Sequence, residues 1–125
     1  MTYKRVLHDG VVHYGQQILL DATGCSAALR DIEVVGAFLE AMPGRVGMRT
    51  YGAPVVVRFG DGDDIGISGV QLLYTSAVVL HTNDMYGDLY LDLFSCAAFA
   101  PDVVVAEVER WFEPETHVHR VIYRR

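Results

Sequence analysis

Three consecutive segments between residues 66 and 96 have the pattern of short β-strands, and the turns between them leave little choice of arrangement. We predict strands at Ser68–Tyr74, Ala77–Thr82 and Asp88–Cys96. The first two meet at Thr75-Ser76 and must pair as an antiparallel hairpin, because a parallel pair needs a crossover of about a dozen residues. The third alternates strictly between its two faces. One face has Leu89, Leu91 and Leu93, and the other has Tyr90, Asp92, Phe94 and Cys96.

The remaining segments add helices and further strands. Ala27–Met42 has apolar residues at three- and four-residue spacing, which predicts a helix after a Ser26 cap that ends at Pro43-Gly44. Pro101–Phe112 is predicted as a second helix, with proline at its first position. We also expect an irregular lead at 1–12, a polar loop at Gly60–Asp64, and strands at Gln16–Ala22, Arg45–Tyr51, Val55–Phe59 and Glu115–Tyr123. This order predicts an α+β fold: a two-layer α/β sandwich with a mainly antiparallel sheet and two helices on one face.

The composition narrows the class of protein. The chain has 125 residues, 51% of them hydrophobic, which suits a single domain over residues 1–125. A formal charge of −6 argues against nucleic acid as a partner and is compatible with a cationic small molecule. Two cysteines, Cys25 and Cys96, do not make a disulfide framework, and no segment has the pattern of a signal peptide or a membrane span. We therefore expect a soluble cytoplasmic protein with free thiols and no membrane partner.

Four chemically able side chains lie in or at the ends of the three central strands: Ser68, Ser76, His81 and Cys96. Each alone has an ordinary structural interpretation. Ser76 suits a hairpin turn, a single strand histidine is commonly a hydrogen-bonding residue, and a single buried cysteine usually behaves as a small inert hydrophobe. The sequence contains no complete set of metal ligands, so we expect no metal site.

These residues and their neighbours together form a more specific pattern. Its parts, in order, are Gly-Ile-Ser-Gly-Val at 66–70, Ser76, Leu-His-Thr at 80–82, Tyr-Gly at 86–87 and Leu-Asp-Leu-Phe-Ser-Cys at 91–96. With the Gly15–Cys25 segment, this set resembles the bacterial and archaeal S-adenosylmethionine decarboxylases. The spacings among the four side chains match that family without gaps, and the resemblance covers most of residues 15–125.

The resemblance implies a proenzyme that cuts its own chain to make its cofactor. The Ser76 hydroxyl would attack the carbonyl of Thr75 and move the chain onto an ester. Elimination would then divide the chain into residues 1–75 and 76–125 and leave a pyruvoyl group derived from Ser76.

The resemblance also implies a role for each of the four side chains. Residues that match Ser68 and His81 assist processing in the family. The substrate amine would form a Schiff base with the pyruvoyl group at position 76. Cys96 would return a proton to the substrate after carbon dioxide leaves. A thiol suits this step because its pKa lies nearer neutrality than that of a hydroxyl.

The sequence departs from the family pattern at the cleavage point and in the nucleoside pocket. Thr75 stands where the family usually has Glu, and Ala77 where it usually has His. Met85 occupies the position of a Glu that holds the ribose hydroxyls, and Asp84 is one residue away. Phe59 is the nearest candidate for the aromatic residue that stacks on adenine. We therefore expect the substrate to contact Phe59, Asp84 and Met85.

Three hypotheses of function remain after this comparison. The first is decarboxylation of S-adenosylmethionine in polyamine (spermidine) biosynthesis, by a homodimer of processed chains with sites near the subunit interface, as the family implies. The second is the same chemistry on L-ornithine or L-arginine, because Met85 offers no acceptor while Asp84 or the acidic 60–64 loop could meet a distant positive charge. The third is a non-processing homologue that acts as a structural or regulatory partner, motivated by Thr75 and Ala77. Retention of all four side chains argues against it.

Overall fold

A computed structural model describes residues 3–125, and its main element is a six-stranded antiparallel sheet. The elements in chain order are β1 (Val6–His8), β2 (Val11–His13), β3 (Gly15–Thr23), a 3-10 turn (Ala27–Arg30), α1 (Ile32–Arg45), β4 (Val55–Phe59), a second 3-10 turn (Gly62–Asp64), β5 (Gly66–Leu73), β6 (Ser76–Asn83), β7 (Asp88–Ser95), α2 (Pro101–Phe112) and β8 (Thr116–Arg124). The large sheet has the strand order β4-β5-β6-β7-β3-β8, and β1 and β2 form a separate pair. The three central strands and the helix at Pro101–Phe112 lie where the sequence predicts them.

Both helices pack on one face of the large sheet. On that face the leucines of β7, Leu89, Leu91 and Leu93, are at most 2% exposed. They share one core cluster with Phe38 of α1 and Phe112 of α2, whose rings lie 5.0 Å apart at 68° to each other. Within residues 3–125, neither α-helix is long and apolar enough to cross a membrane. The predicted α+β sandwich, with two helices on one face of a mainly antiparallel sheet, is confirmed.

The opposite side of the large sheet, here called the open face, carries exposed apolar side chains beside polar ones. Val70 is 39% exposed, Leu72 57% and Tyr90 46%. Neighbouring large apolar residues in contact with water are typical of surfaces that bind another molecule. The residues that define the open face are Val57, Ser68, Val70, Leu72, Val79, His81, Tyr90 and Asp92.

The N-terminal segment forms a β-hairpin, so the predicted irregular lead at 1–12 is wrong from residue 6 onward. Asp9 and Gly10 form its turn with φ angles of +49° and +76°. An Asp-Gly pair between short apolar runs is a strong hairpin signal, because both positions of the favoured turn need positive φ. The His8 ring stacks on Tyr123 of β8 with centroids 3.8 Å apart, which ties the hairpin to the sheet. Met1 and Thr2 of the predicted lead lie outside the described residues.

The predicted helix over Ala27–Met42 is divided into two parts. Ser26 caps only the 3-10 turn. Asp31 has extended backbone angles and its carboxylate accepts hydrogen bonds from the backbone N–H groups of Glu33 and Val34, so α1 begins at the next residue. A local carboxylate cap at Asp31 therefore interrupts an apolar pattern that continues across the break.

The predicted strand at Arg45–Tyr51 is wrong. α1 extends into this segment with Pro43 inside its last turn, and the N–H of Met48 donates to the Pro43 carbonyl. Residues 45–48 therefore close the helix, and only residues 49–51 reach the sheet, where the Tyr51 N–H donates to the Leu72 carbonyl. Thr50 makes one isolated bridge to Leu73.

Candidate active site

A strained turn joins β5 to β6. Leu73 and Ser76 are paired across the hairpin, so Tyr74 and Thr75 form a two-residue connection. Thr75 has φ of +63°, in the left-handed region that β-branched residues rarely adopt. Its hydroxyl donates to the Tyr74 carbonyl at 2.6 Å. A residue held in this conformation costs about 1–3 kcal/mol, and here that strain lies directly before the Thr75–Ser76 peptide bond.

Cys96 lies beside this turn, one residue beyond the end of β7. Its sulfur is 2.7 Å from the Thr75 hydroxyl oxygen, and its backbone N–H donates to the Ser76 hydroxyl at 3.2 Å. The Arg5 guanidinium donates a hydrogen bond to the same sulfur at 3.3 Å. Burial alone would raise the pKa of the Cys96 thiol, but hydrogen bonds from Thr75 and Ser76 and the charge of Arg5 together hold it below its ordinary value.

Ser68 and His81 form a second polar pair on the open face. They are directly opposite each other on β5 and β6, and the Ser68 hydroxyl lies 2.9 Å from His81 Nδ1. A serine hydroxyl within hydrogen-bond reach of an imidazole can exchange a proton with it and can stabilise a developing negative charge. This geometry suits the assisting role that the sequence assigns to the pair.

The two groups do not meet within one chain. Ser76 and His81 are separated by five residues along β6, which is about 17 Å in an extended strand. An odd separation also places their side chains on opposite faces of the sheet. The fold thus brings Ser76 together with Cys96, and Ser68 together with His81, and leaves a gap between the pairs.

The predicted substrate residues lie at the His81 end of the sheet. Phe59 ends β4 and is 60% exposed, and Met85 is 62% exposed in the turn after β6. The Asp84 carboxylate forms an ion pair with Arg58 at 2.6 Å. That pairing neutralises Asp84, which reduces its ability to receive a substrate cation.

A family model described as S-adenosylmethionine decarboxylase matches residues 16–125 of the chain. The chain belongs to this family. The prediction of a decarboxylase, a carboxy-lyase, is thereby confirmed. A comparison with curated proteins found no significant match.

A solved structure supports the same fold. The crystal structure of the adenosylmethionine decarboxylase from Aquifex aeolicus VF5 matches with a TM-score of 0.73 at 20% sequence identity. The match covers 90% of this chain and 91% of that one. At 20% sequence identity, the structural match supports the fold alone. The match to the family model supports the assignment of the chain to the decarboxylase family.

The contact between Arg5 and Cys96 is the feature of this decarboxylase-family chain that sequence reasoning missed. Arg5 precedes the matched segment and lies in the predicted irregular lead, although the Asp9-Gly10 turn signal indicates that this part of the chain is ordered. The other thiol behaves differently. Burial and the nearby Asp88 carboxylate raise the pKa of Cys25 to about 11, so Cys25 stays protonated near neutral pH.

Proposed function

We propose that this protein is a self-processing, pyruvoyl-dependent decarboxylase of S-adenosylmethionine in cytoplasmic polyamine biosynthesis. The observation that carries the proposal is the left-handed Thr75 directly before Ser76, with the Cys96 sulfur against the same turn. Cleavage, cofactor formation and proton return all require chemistry at this point of the chain. The family match to residues 16–125 supports the reaction class.

Processing begins with attack of the Ser76 Oγ on the carbonyl carbon of Thr75. The Thr75–Ser76 C–N bond breaks as the C–O bond forms, so the chain is held by an ester and the Ser76 nitrogen gains a proton. A base then removes the Ser76 α-proton, the Cβ–O bond breaks, and Thr75 leaves as a carboxylate. Hydrolysis of the resulting dehydroalanine releases ammonia and leaves the pyruvoyl group. Strain at Thr75 raises the energy of the bond that breaks first.

The residues at the turn fit this group and the step that follows. When present, the pyruvoyl carbonyl supplies an electron sink for decarboxylation of an amine-bearing substrate. Cys96 would carry the returned proton on Sγ, and its backbone N–H donates to the Ser76 hydroxyl, which places it next to residue 76. Its lowered pKa makes the thiol a better acid near neutral pH than an ordinary buried cysteine. At 5% exposure it is also shielded from bulk water.

A second copy of the chain would complete the site. Ser68 and His81 lie about 17 Å from Ser76 along the sheet, too far for direct proton transfer. They occur on the open face, whose exposed Val70, Leu72 and Tyr90 would be buried by a partner. We therefore propose a homodimer in which the Ser68–His81 pair of one protomer assists the Thr75–Ser76 bond of its partner.

The alternative substrates are L-ornithine and L-arginine, and one observation favours them. Met85 carries no acceptor, and Asp84 pairs its Oδ2 with Arg58 while its unpartnered Oδ1 is buried, so neither presents an exposed oxygen to ribose hydroxyls. The open face meanwhile carries Asp21 and Asp92 around a cavity of about 270 Å³ that His81 and Arg120 also line, so two carboxylates face one guanidinium there. These carboxylates would suit a cationic side chain and also the sulfonium of S-adenosylmethionine.

Intact mass of the purified protein, measured beside a Ser76→Ala variant, tests the proposal. We expect the wild type to give two fragments, residues 1–75 and a pyruvoyl-capped 76–125, and the variant to stay whole. Release of carbon dioxide from S-adenosylmethionine, L-ornithine and L-arginine then separates the substrates. A wild-type chain that stays uncut after long incubation would instead support the non-processing partner.

A further inference from the structure

The N-terminal hairpin brings a cation to the predicted proton donor. Arg5 directly precedes β1, and its Nη2 donates a hydrogen bond to the Cys96 sulfur at 3.3 Å. The two residues are 91 positions apart in the sequence, so this contact exists only because the hairpin folds back over the end of β7.

The hairpin that follows Arg5 is held against the rest of the protein by three contacts. Val6, the residue after Arg5, is 1% exposed and lies in the protein interior. His8 stacks on Tyr123, and the Tyr14 backbone N–H donates to the Arg124 carbonyl at 2.7 Å. Because these contacts fix the backbone next to Arg5, its side chain loses less conformational freedom when it binds the sulfur than one on a loose tail would.

We propose that Arg5 is a positioning residue for Cys96, which orients the sulfur toward residue 76 and stabilises its thiolate form. This inference rests on the proposed function, because Arg5 would act on the proton donor of the same decarboxylation reaction. The family match begins at residue 16, after the hairpin. The contact between Arg5 and Cys96 therefore involves a part of the chain that the family model does not cover.

The chemistry needs such a cation at one step. When Cys96 gives its proton to the substrate carbon that has lost carbon dioxide, the S–H bond breaks, a C–H bond forms, and the electron pair stays on sulfur. After cleavage Ser76 has become the pyruvoyl group, so the thiolate is left beside Thr75, whose hydroxyl oxygen lies 2.7 Å from the sulfur in the uncut chain and whose new terminal carboxylate adds a negative charge. Among residues 3–125 of the uncut chain, Arg5 is the one charged group that acts on this sulfur, and its positive charge offsets the cost of burying the anion. Water restores the proton before the next turnover.

A ¹³C NMR titration of cysteine Cβ tests the proposal without any substrate. The signals of Cys25 and Cys96 are assigned with a Cys25→Ser variant, and each reports ionisation of its own thiol. In Arg5→Gln we expect the apparent pKa of Cys96 to rise by about one unit, with that of Cys25 unchanged. Arg5→Lys keeps the charge and should recover part of the shift. Arg45→Gln is the matched control, because Arg45 lies in the helix layer and pairs with Glu107.

An unchanged Cys96 pKa in Arg5→Gln, with the chemical shifts of the hairpin retained, would overturn the proposal. Kinetics provide a second readout: kcat should fall and its basic limb, which reports loss of the Cys96 proton, should move to higher pH, while KM stays near the wild-type value. A fall in kcat with no change in the pH profile would point to a structural role for the hairpin and would also contradict the proposal. The titration gives its answer whether or not the chain processes itself, so its failure is distinguishable from failure of the proposed function.

Discussion

The Ser68 hydroxyl and His81 Nδ1 lie 2.9 Å apart on neighbouring strands, but the serine they are expected to assist is on the far end of β6. Because of this separation, a role for the pair in processing depends on how two chains assemble. If the pair acts in processing, it must act on another copy of the chain, because five residues of extended strand keep it from Ser76 of its own. The open face, which carries Ser68 and His81, is the surface that the second copy would contact.

Mixing two inactive variants tests this arrangement. We expect His81→Ala alone to slow cleavage by about 100-fold or more, because it removes the proton acceptor of the pair, and Ser76→Ala alone to stay whole. When both variants are co-expressed, the Ser76 of one chain meets the intact His81 of the other, so a fraction of chains should be cut. The cut fraction is measured by intact mass.

The matched control pairs His81→Ala with a chain that carries both substitutions, and no cleavage is expected there. Processing of His81→Ala in that control, or no rescue in the first mixture, would contradict a shared site.

Thr75→Gly tests strain at the cleaved bond. Glycine adopts positive φ without the steric cost that threonine has, so the turn should become more stable and the bond less reactive. In a Ser76→Ala background, where no cleavage occurs, we expect Thr75→Gly to raise the free energy of unfolding by about 1 kcal/mol. In the chain that keeps Ser76, we expect slower processing.

Thr75→Ser is the control for the hydroxyl group, because it retains the contact with Cys96 and removes the β-branch. If Thr75→Gly processes slowly and Thr75→Ser processes as fast as the wild type, the hydroxyl group matters and the strain from the β-branch does not. Wild-type processing in Thr75→Gly would contradict a role for either.

Cys96→Ser separates decarboxylation from processing. A serine hydroxyl is a far weaker acid than the Cys96 thiol, whose pKa is already held below its ordinary value. We expect cleavage to proceed and kcat for decarboxylation to fall by about 100-fold. Cys25→Ser should leave kcat unchanged, since that thiol is protonated near neutral pH and lies away from the turn. Equal losses in the two variants would remove Cys96 from its assigned role.

Glu107 of α2 should make the stability of the folded protein depend on pH. This buried carboxylate accepts two hydrogen bonds from Arg110, which hold its pKa below the ordinary value, and Arg45 adds a weaker ion pair. A carboxylate with a lowered folded-state pKa contributes stability above its unfolded pKa and loses it as the pH falls through the folded value. In uncut protein, Glu107→Gln should lower the melting temperature by a few degrees at neutral pH. The difference should close in strongly acidic solution, and a constant difference across pH would contradict this account.

Much of the architecture could be predicted from local patterns. The alternation along β7 placed Leu89, Leu91 and Leu93 in the core, and a proline at the first helical position marked α2 to the residue. The errors arose where a local signal competed with a stronger one nearby. Asp31 caps α1 inside an apolar stripe that appears continuous, and the two strands of the N-terminal hairpin have only three residues each, too few to show an alternating pattern.

The sequence by itself determined the family, the fold class and the chemical identity of the four side chains, because the motif spacing and the strand periodicity are local properties of the chain. Only the tertiary structure decided which of them meet. Cys96 reaches Thr75 and Ser76 because β6 and β7 pair side by side, and Arg5 reaches Cys96 because the hairpin folds back over the sheet. The Ser68–His81 pair remains apart from Ser76 of the same chain because five residues of extended strand separate Ser76 from His81. Contacts between residues so distant in sequence depend on how the whole chain packs, which no local pattern encodes.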